Sequence, residues 1–235
     1  MTSRKRVAVL AARAAAERDR GISLIELIIA MVLLSIVTTV VAALLISLTN
    51  AATMSRGIDA SSKTASNAMN DLALVIRNGS TVPVKNNIIP LAAFVAGGPE
   101  SLTIHSILGG SGLSLSPVKV KFTVNAKRQL IEQRWTAKVT DGYFSWPADA
   151  AMTSRNLSGS LLIPKDEERP LFTYLDEKRN PIEMSAGNQL SAPNLGKVRS
   201  VLITMRVEAE GGAKGQIIEL ENIVGVPNLG EVSAE

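Results

Sequence analysis

The chain has 235 residues, 46% of them hydrophobic and 20% charged, with one histidine and no cysteine. This excludes disulfides, thiol chemistry and His-rich zinc sites, so stability has to come from a packed core. The net charge of +4 is local: residues 1–21 hold six basic and two acidic side chains, and the rest carries nineteen of each, which disfavours nucleic-acid binding through bulk charge.

Arg4, Lys5, Arg6, Arg13, Arg18 and Arg20 make 1–21 a basic leader. From Leu27 to Leu48 there is no charge, Pro or Gly, and these 22 residues are long enough as a helix for one hydrocarbon crossing. Positive charge on the N-terminal flank predicts that this flank stays in the cytoplasm and the C-terminal domain lies outside. Glu26 stands where the apolar run begins. A carboxylate costs about 2.5–3.5 kcal/mol near the bilayer centre and less toward the edge, so its presence calls for a function. A secretory signal cut near Asn50-Ala51-Ala52 and a plain uncleaved anchor are the competing readings. The run exceeds a signal h-region, and an uncleaved anchor leaves Gly21 and Glu26 unexplained.

Met54, Ile58, Ala65, Met69, Leu72 and Ile76 recur at spacings of three, four and seven, which predicts that the helix continues and becomes amphipathic. One helix from Ile22 to Arg77 is expected, stopped by Asn78-Gly79, with Gly57 as its weak point. Beyond it the pattern changes to strand and turn. Val118, Val120, Phe122 and Val124 alternate with polar residues, Asn125 to Arg128 turns the chain, and Leu130 to Trp135 returns, giving a hairpin. Val201 to Val207 and Gln216 to Val224 predict a second hairpin around Gly211-Gly212. Leu102 to Leu108 and Leu171 to Leu175 are further strands. Gly109 to Ser116 and Asp141 to Arg169 read as loops. All eight aromatics fall between Phe94 and Tyr174, which places the expected core there.

Gly21, Ile22, Ser23-Leu24-Ile25 and Glu26, after a basic leader and before a long apolar helix, resemble the class III signal of type IV pilins and type II secretion pseudopilins. The resemblance implies cleavage after Gly21 by prepilin peptidase, N-methylation of the new terminus Ile22, and a role for Glu26 in subunit assembly by meeting a neighbour's terminal amine. Ile22 stands where Phe is more frequent, and the apolar helix lacks the Pro that kinks many major pilins. Met69 to Asn78, the hairpin Val118 to Trp135, Leu171-Phe172-Thr173-Tyr174-Leu175-Asp176 and Lys197 to Met205 resemble, in order, segments of J-type pseudopilins and W-type minor pilins.

The expected organisation is α+β and pilin-like: leader 1–21, transmembrane half 22–48, amphipathic half 49–77, and an antiparallel β-rich head 78–235. The expected function is a non-enzymatic minor pilin or pseudopilin at a filament tip or priming complex, without a cofactor or metal. Its partners would be prepilin peptidase, other pilin subunits, the cytoplasmic membrane and the inner-membrane assembly platform. A DNA- or ligand-binding tip subunit of a competence pilus and a non-polymerising membrane-anchored β-domain are the alternatives; the net-neutral head and spine do not favour DNA. Asp176 to Pro181 reads as a solvated turn rather than a Ca²⁺ loop. Lys119 and Lys121 read as one solvated face, and Phe172 and Tyr174 as core and edge residues.

Overall fold

The computed structural model of the protein describes residues 22–85, 89–108, 116–210 and 216–229. The leader with Gly21, residues 109–115 of the Gly/Ser-rich segment, and Gly211-Gly212 lie outside them. The fold is α+β, with one long N-terminal apolar helix and a C-terminal antiparallel β-rich region. The chain divides into two compact units, Met1–Thr53 and Met54–Glu235.

In the first unit, helix α1 (Leu24–Arg77) begins two residues later than Ile22 and is fully exposed through Thr53. An all-round apolar surface of this length is what a lipid-facing helix presents, and the helix is long and apolar enough to cross a membrane. Its hydroxyls fit that solvent. Ser35, Thr38, Thr39, Thr49 and Thr53 each donate to a carbonyl three or four residues earlier at 2.7–2.9 Å, so these hydroxyls are satisfied within the helix.

The second unit starts with the rest of α1, which remains helical through Gly57. Ala65, Ala68, Met69, Leu72, Ala73, Val75 and Ile76 form its buried face. Three of the last four helix carbonyls, those of Leu74, Val75 and Ile76, find partners at the helix end. Asn78 donates to Leu74 through both backbone and side chain, Ser106 Oγ donates to the Val75 carbonyl at 2.9 Å, and Gly79 N–H donates to Ile76. A Cβ at Gly79 would meet Ile104 at 2.8 Å and the Ile76 carbonyl at 2.9 Å, so only glycine fits this crossing.

Ten strands follow: β1 (Phe94–Gly98), β2 (Ser101–Ile107), β3 (Pro117–Val124), β4 (Gln129–Thr136), β5 (Lys138–Thr140), β6 (Tyr143–Ser145), β7 (Met152–Ser160), β8 (Phe172–Leu175), and, after the short helix α2 (Ala192–Lys197), β9 (Ser200–Glu208) and β10 (Ile217–Gly225). All pairs are antiparallel, in sheets ordered β1-β2-β3-β4-β7, β10-β9-β8 and β5-β6. Both expected hairpins form, β3–β4 and β9–β10. In the first, Asn125 Oδ1 accepts from the backbone of Lys127 and Gln129, and Arg128 takes the left-handed conformation at φ 61°.

Two expectations are corrected. Asp141 to Arg169 is not a loop: it holds β6 and the nine-residue β7, which pairs with β4. Strand β7 reads Met-Thr-Ser-Arg-Asn-Leu-Ser-Gly-Ser and is exposed along most of its length at a sheet edge, so it lacks the apolar alternation that marks a half-buried strand. Nor is the core confined to Phe94–Tyr174. It joins the α1 face to Leu102, Ile104, Val120, Phe122, Leu130, Phe172 and Tyr174, and also to Val198, Val201, Ile203, Met205, Val207, Val224 and Val226. Aliphatic side chains, invisible to an aromatic count, complete it.

Candidate functional site

Ile22 and Ser23 precede α1, and the Leu27 N–H donates to the Ser23 carbonyl at 3.0 Å, so Ser23 is where the helix starts. Ser23 and Glu26 have the Ser-x-x-Glu spacing of helix N-termini, a local signal the pilin-like reading overlooks. Glu26 therefore lies in the first turn, where the free N–H groups and the positive end of the helix dipole favour an anion. That partial charge falls off within a turn and offsets only part of a carboxylate's cost in lipid. Among the described residues Glu26 has no ion-pair partner, and Ile22, four residues earlier, is 73% exposed. The arrangement offers an anion at the start of an apolar helix, beside the residue at which the chain would begin after cleavage behind Gly21. Gly21 itself lies outside the described residues.

The second unit contains a charge cluster that the sequence reading missed. Glu132 on β4 points inward, in phase with Leu130, and is 1% exposed. Its carboxylate accepts from Arg134 at 2.7 Å and from Arg155 on β7, its register partner. Arg155 also reaches Asp71 on α1 at 3.1 Å. Hydrogen bonding to Glu132 pushes the Arg155 guanidinium further above its ordinary range, against a smaller desolvation effect. The cluster fastens the helix to the sheet. Its signal in the sequence was parity: Glu132 occupies an inward position of an alternating strand.

On the opposite face of that sheet, His105 on β2, Lys119 on β3 and Trp135 on β4 stand in one cross-strand row. The Lys119 ammonium lies 5.1 Å from the Trp135 ring centroid, so this lysine is packed on an aromatic rather than simply solvated. His105 is buried and stacks on Trp146 with centroids 4.5 Å apart and planes 15° off parallel. Burial lowers its pKa below the ordinary imidazole range, against the Ala92 carbonyl that raises it, and Lys119 adds to the lowering.

Phe172 and Tyr174 are both fully buried. The single Tyr174 O–H has the Ser101 carbonyl at 2.8 Å and the Gly98 carbonyl at 3.1 Å within reach, and its oxygen accepts from the Gly98 N–H. The turn after β8 is solvated, and Asp176 Oδ1 accepts from the Asn180 N–H within it. Among the described residues no three Asp, Glu or His side chains gather as a metal site would need.

The chain matches the model of the prokaryotic N-terminal methylation motif over residues 18–42. This is the class III prepilin signal and is consistent with the type IV pilin and pseudopilin family. No curated protein matches the chain.

Proposed function

We propose that this chain, a prepilin-type substrate of prepilin peptidase anchored in a membrane by one helix, is a minor pilin or minor pseudopilin. The match over residues 18–42, with Glu26 in the first turn of an all-round apolar helix, is the observation that carries the reading. Prepilin peptidase cuts after Gly21 and Ile22 becomes the N-methylated terminus. The leader 1–21 stays on the cytoplasmic side, 22–48 spans the bilayer, 49–77 joins the anchor to the head, and 78–235 forms the extracytoplasmic head. The subunit joins a type IV pilus or type II secretion pseudopilus at its tip or priming complex, with other pilin subunits and the inner-membrane assembly platform as partners.

The role is structural and needs neither cofactor nor catalysis. The membrane holds the subunit until Glu26 meets the terminal amine of a neighbour, and burying both charges together removes the cost each carries alone. The resemblance of 69–78, 118–135, 171–176 and 197–205 to J-type and W-type subunits supports a low-copy place in the filament. A DNA-capturing role finds less support, because Arg128, Arg134, Arg155, Arg169 and Arg206 are each ion-paired with a carboxylate of the same unit. Mass spectrometry of the native protein tests the proposal. An N-terminus at N-methylated Ile22 is expected; an intact Met1 or a cut near Ala51 overturns it.

A further inference from the structure

Among the described residues the β5–β6 hairpin pairs with no other strand, and its turn, Asp141-Gly142, uses two positive φ angles of 53° and 81°. Two-stranded hairpins are marginal on their own, so contacts to the rest of the unit must hold this one. Three of those contacts are polar. Phe144 N–H donates to Pro83 at 3.5 Å, Asp141 pairs with Lys85, and Trp146, immediately after β6, donates through Nε1 to the Trp135 carbonyl at 3.0 Å. Val139 and Tyr143 remain exposed. Trp146 also stacks on His105.

We propose that this hairpin is a pH-sensitive flap, held on the outer face of the five-stranded sheet by neutral His105 and released when His105 takes up a proton. The Ala92 carbonyl, 2.9 Å from Nδ1, can only accept, so the geometry assigns the hydrogen to Nδ1 and leaves Nε2 to take the second proton. Protonation then puts a second positive charge beside Lys119, in a place with 4% exposure. Among the described residues, Lys119 on β3 is the charged group that acts on the imidazole, the segment before β1 presents the Ala92 carbonyl, and the hairpin side presents the Trp146 ring. The hairpin's own charges are Lys138 and Asp141, the latter paired with Lys85.

The direction follows from linkage. Well above the ordinary imidazole value of about 6.5 His105 is neutral whether the flap is closed or open. Below that value the open form binds the proton first, so closure weakens by up to tenfold per pH unit until the closed form is protonated too.

Hydrogen exchange on the full chain in detergent, at pH 7.5, 6.5 and 5.5, tests this. Rates are compared with His105→Gln at each pH, so that intrinsic exchange cancels. Protection across residues 138–146 should fall with pH in the native chain relative to the variant, while β9 keeps its protection. If His105→Gln does not fold, the native 138–146 peptide is compared with the native β9 peptide after correction for intrinsic rates. A Trp135→Phe chain reports Trp146 alone and should show a fluorescence transition in the same pH range. Fluorescence that titrates while protection of 138–146 stays constant means that the imidazole protonates in place, and overturns the flap. No change in either signal overturns it as well.

Discussion

Arg155 on β7 reaches Asp71 on α1 at 3.1 Å while its Nε binds the buried Glu132 of β4, so one guanidinium ties the helix to two strands. The helix face itself is apolar and small-residue-rich, which gives burial but little register. The charge cluster supplies a fixed point along the helix, because a displaced Arg155 would leave Glu132 with one partner.

Removing the carboxylate should therefore cost more than removing an exposed charge. Glu132→Ala leaves two guanidiniums facing an apolar wall, and breaking a buried pair costs about 3–5 kcal/mol, with the lower end expected because both arginines are partly exposed. For a unit of this size that corresponds to a fall in Tm of roughly 6–12 °C. Asp71→Asn removes only the half-exposed end of the cluster and should cost under about 1 kcal/mol. Thermal unfolding of the full chain in detergent followed by circular dichroism checks both, and equal losses would show that the cluster does not act through burial.

Glycine substitutions separate close approach from mere flexibility. Gly79→Ala drives a Cβ into Ile104, Val226 and the Ile76 carbonyl, and should cost about 1–3 kcal/mol because a backbone atom cannot step aside as a side chain can. Gly159→Ala on β7 meets nothing within 4 Å and should be neutral or stabilising by up to about 1 kcal/mol. Denaturant unfolding of the two variants measures the contrast.

Tyr174 supplies a pH-dependent prediction. Burial raises its pKa well above the ordinary tyrosine value, against the hydrogen bond to Gly98 that lowers it. A group whose folded pKa is raised gives stability that is intact below the unfolded value, about 10, and is lost as pH rises above it, because the unfolded chain releases the proton first. Stability should fall between pH 9.5 and 11.5, and Tyr174→Phe should remove that part of the slope. The same variant should lose about 1–3 kcal/mol at pH 7, where it strands the Gly98 N–H. Unfolding midpoints of both chains across that range provide the check.

Periodicity made the helix, both hairpins and the β8 strand legible, because each buries one face and leaves a pattern of 3.6 or 2 residues. Strand β7 was hidden because an exposed edge strand leaves no such pattern, and with it went Arg155. Glu132 could be placed inward by parity, but its partners come from β7 and α1, and no local rule joins them. His105 and Trp146 lie 41 residues apart and meet only because a small hairpin folds over the sheet. The methylation motif was legible at once, since its residues are contiguous and their spacing is the site.

Glu26 carries the last prediction. Its carboxylate sits in the first turn of an apolar helix and has no ion-pair partner among the described residues, so a neighbouring chain is the source of the compensating charge in the proposed assembly. Glu26→Ala removes a charge that disfavours lipid, so membrane insertion should be unchanged or improved. Incorporation into filaments should drop, because the neighbour's terminal amine then enters the apolar helix bundle unpaired, and an isolated buried charge is worse than a buried pair. Glu26→Gln preserves shape and hydrogen bonding but not charge, and should assemble poorly too if charge pairing is the operative interaction. Quantifying membrane-bound and sheared-filament fractions for native, Glu26→Ala and Glu26→Gln chains decides it. Normal assembly of the alanine variant would remove Glu26 from the mechanism, and rescue by glutamine alone would replace the ion pair with a hydrogen bond.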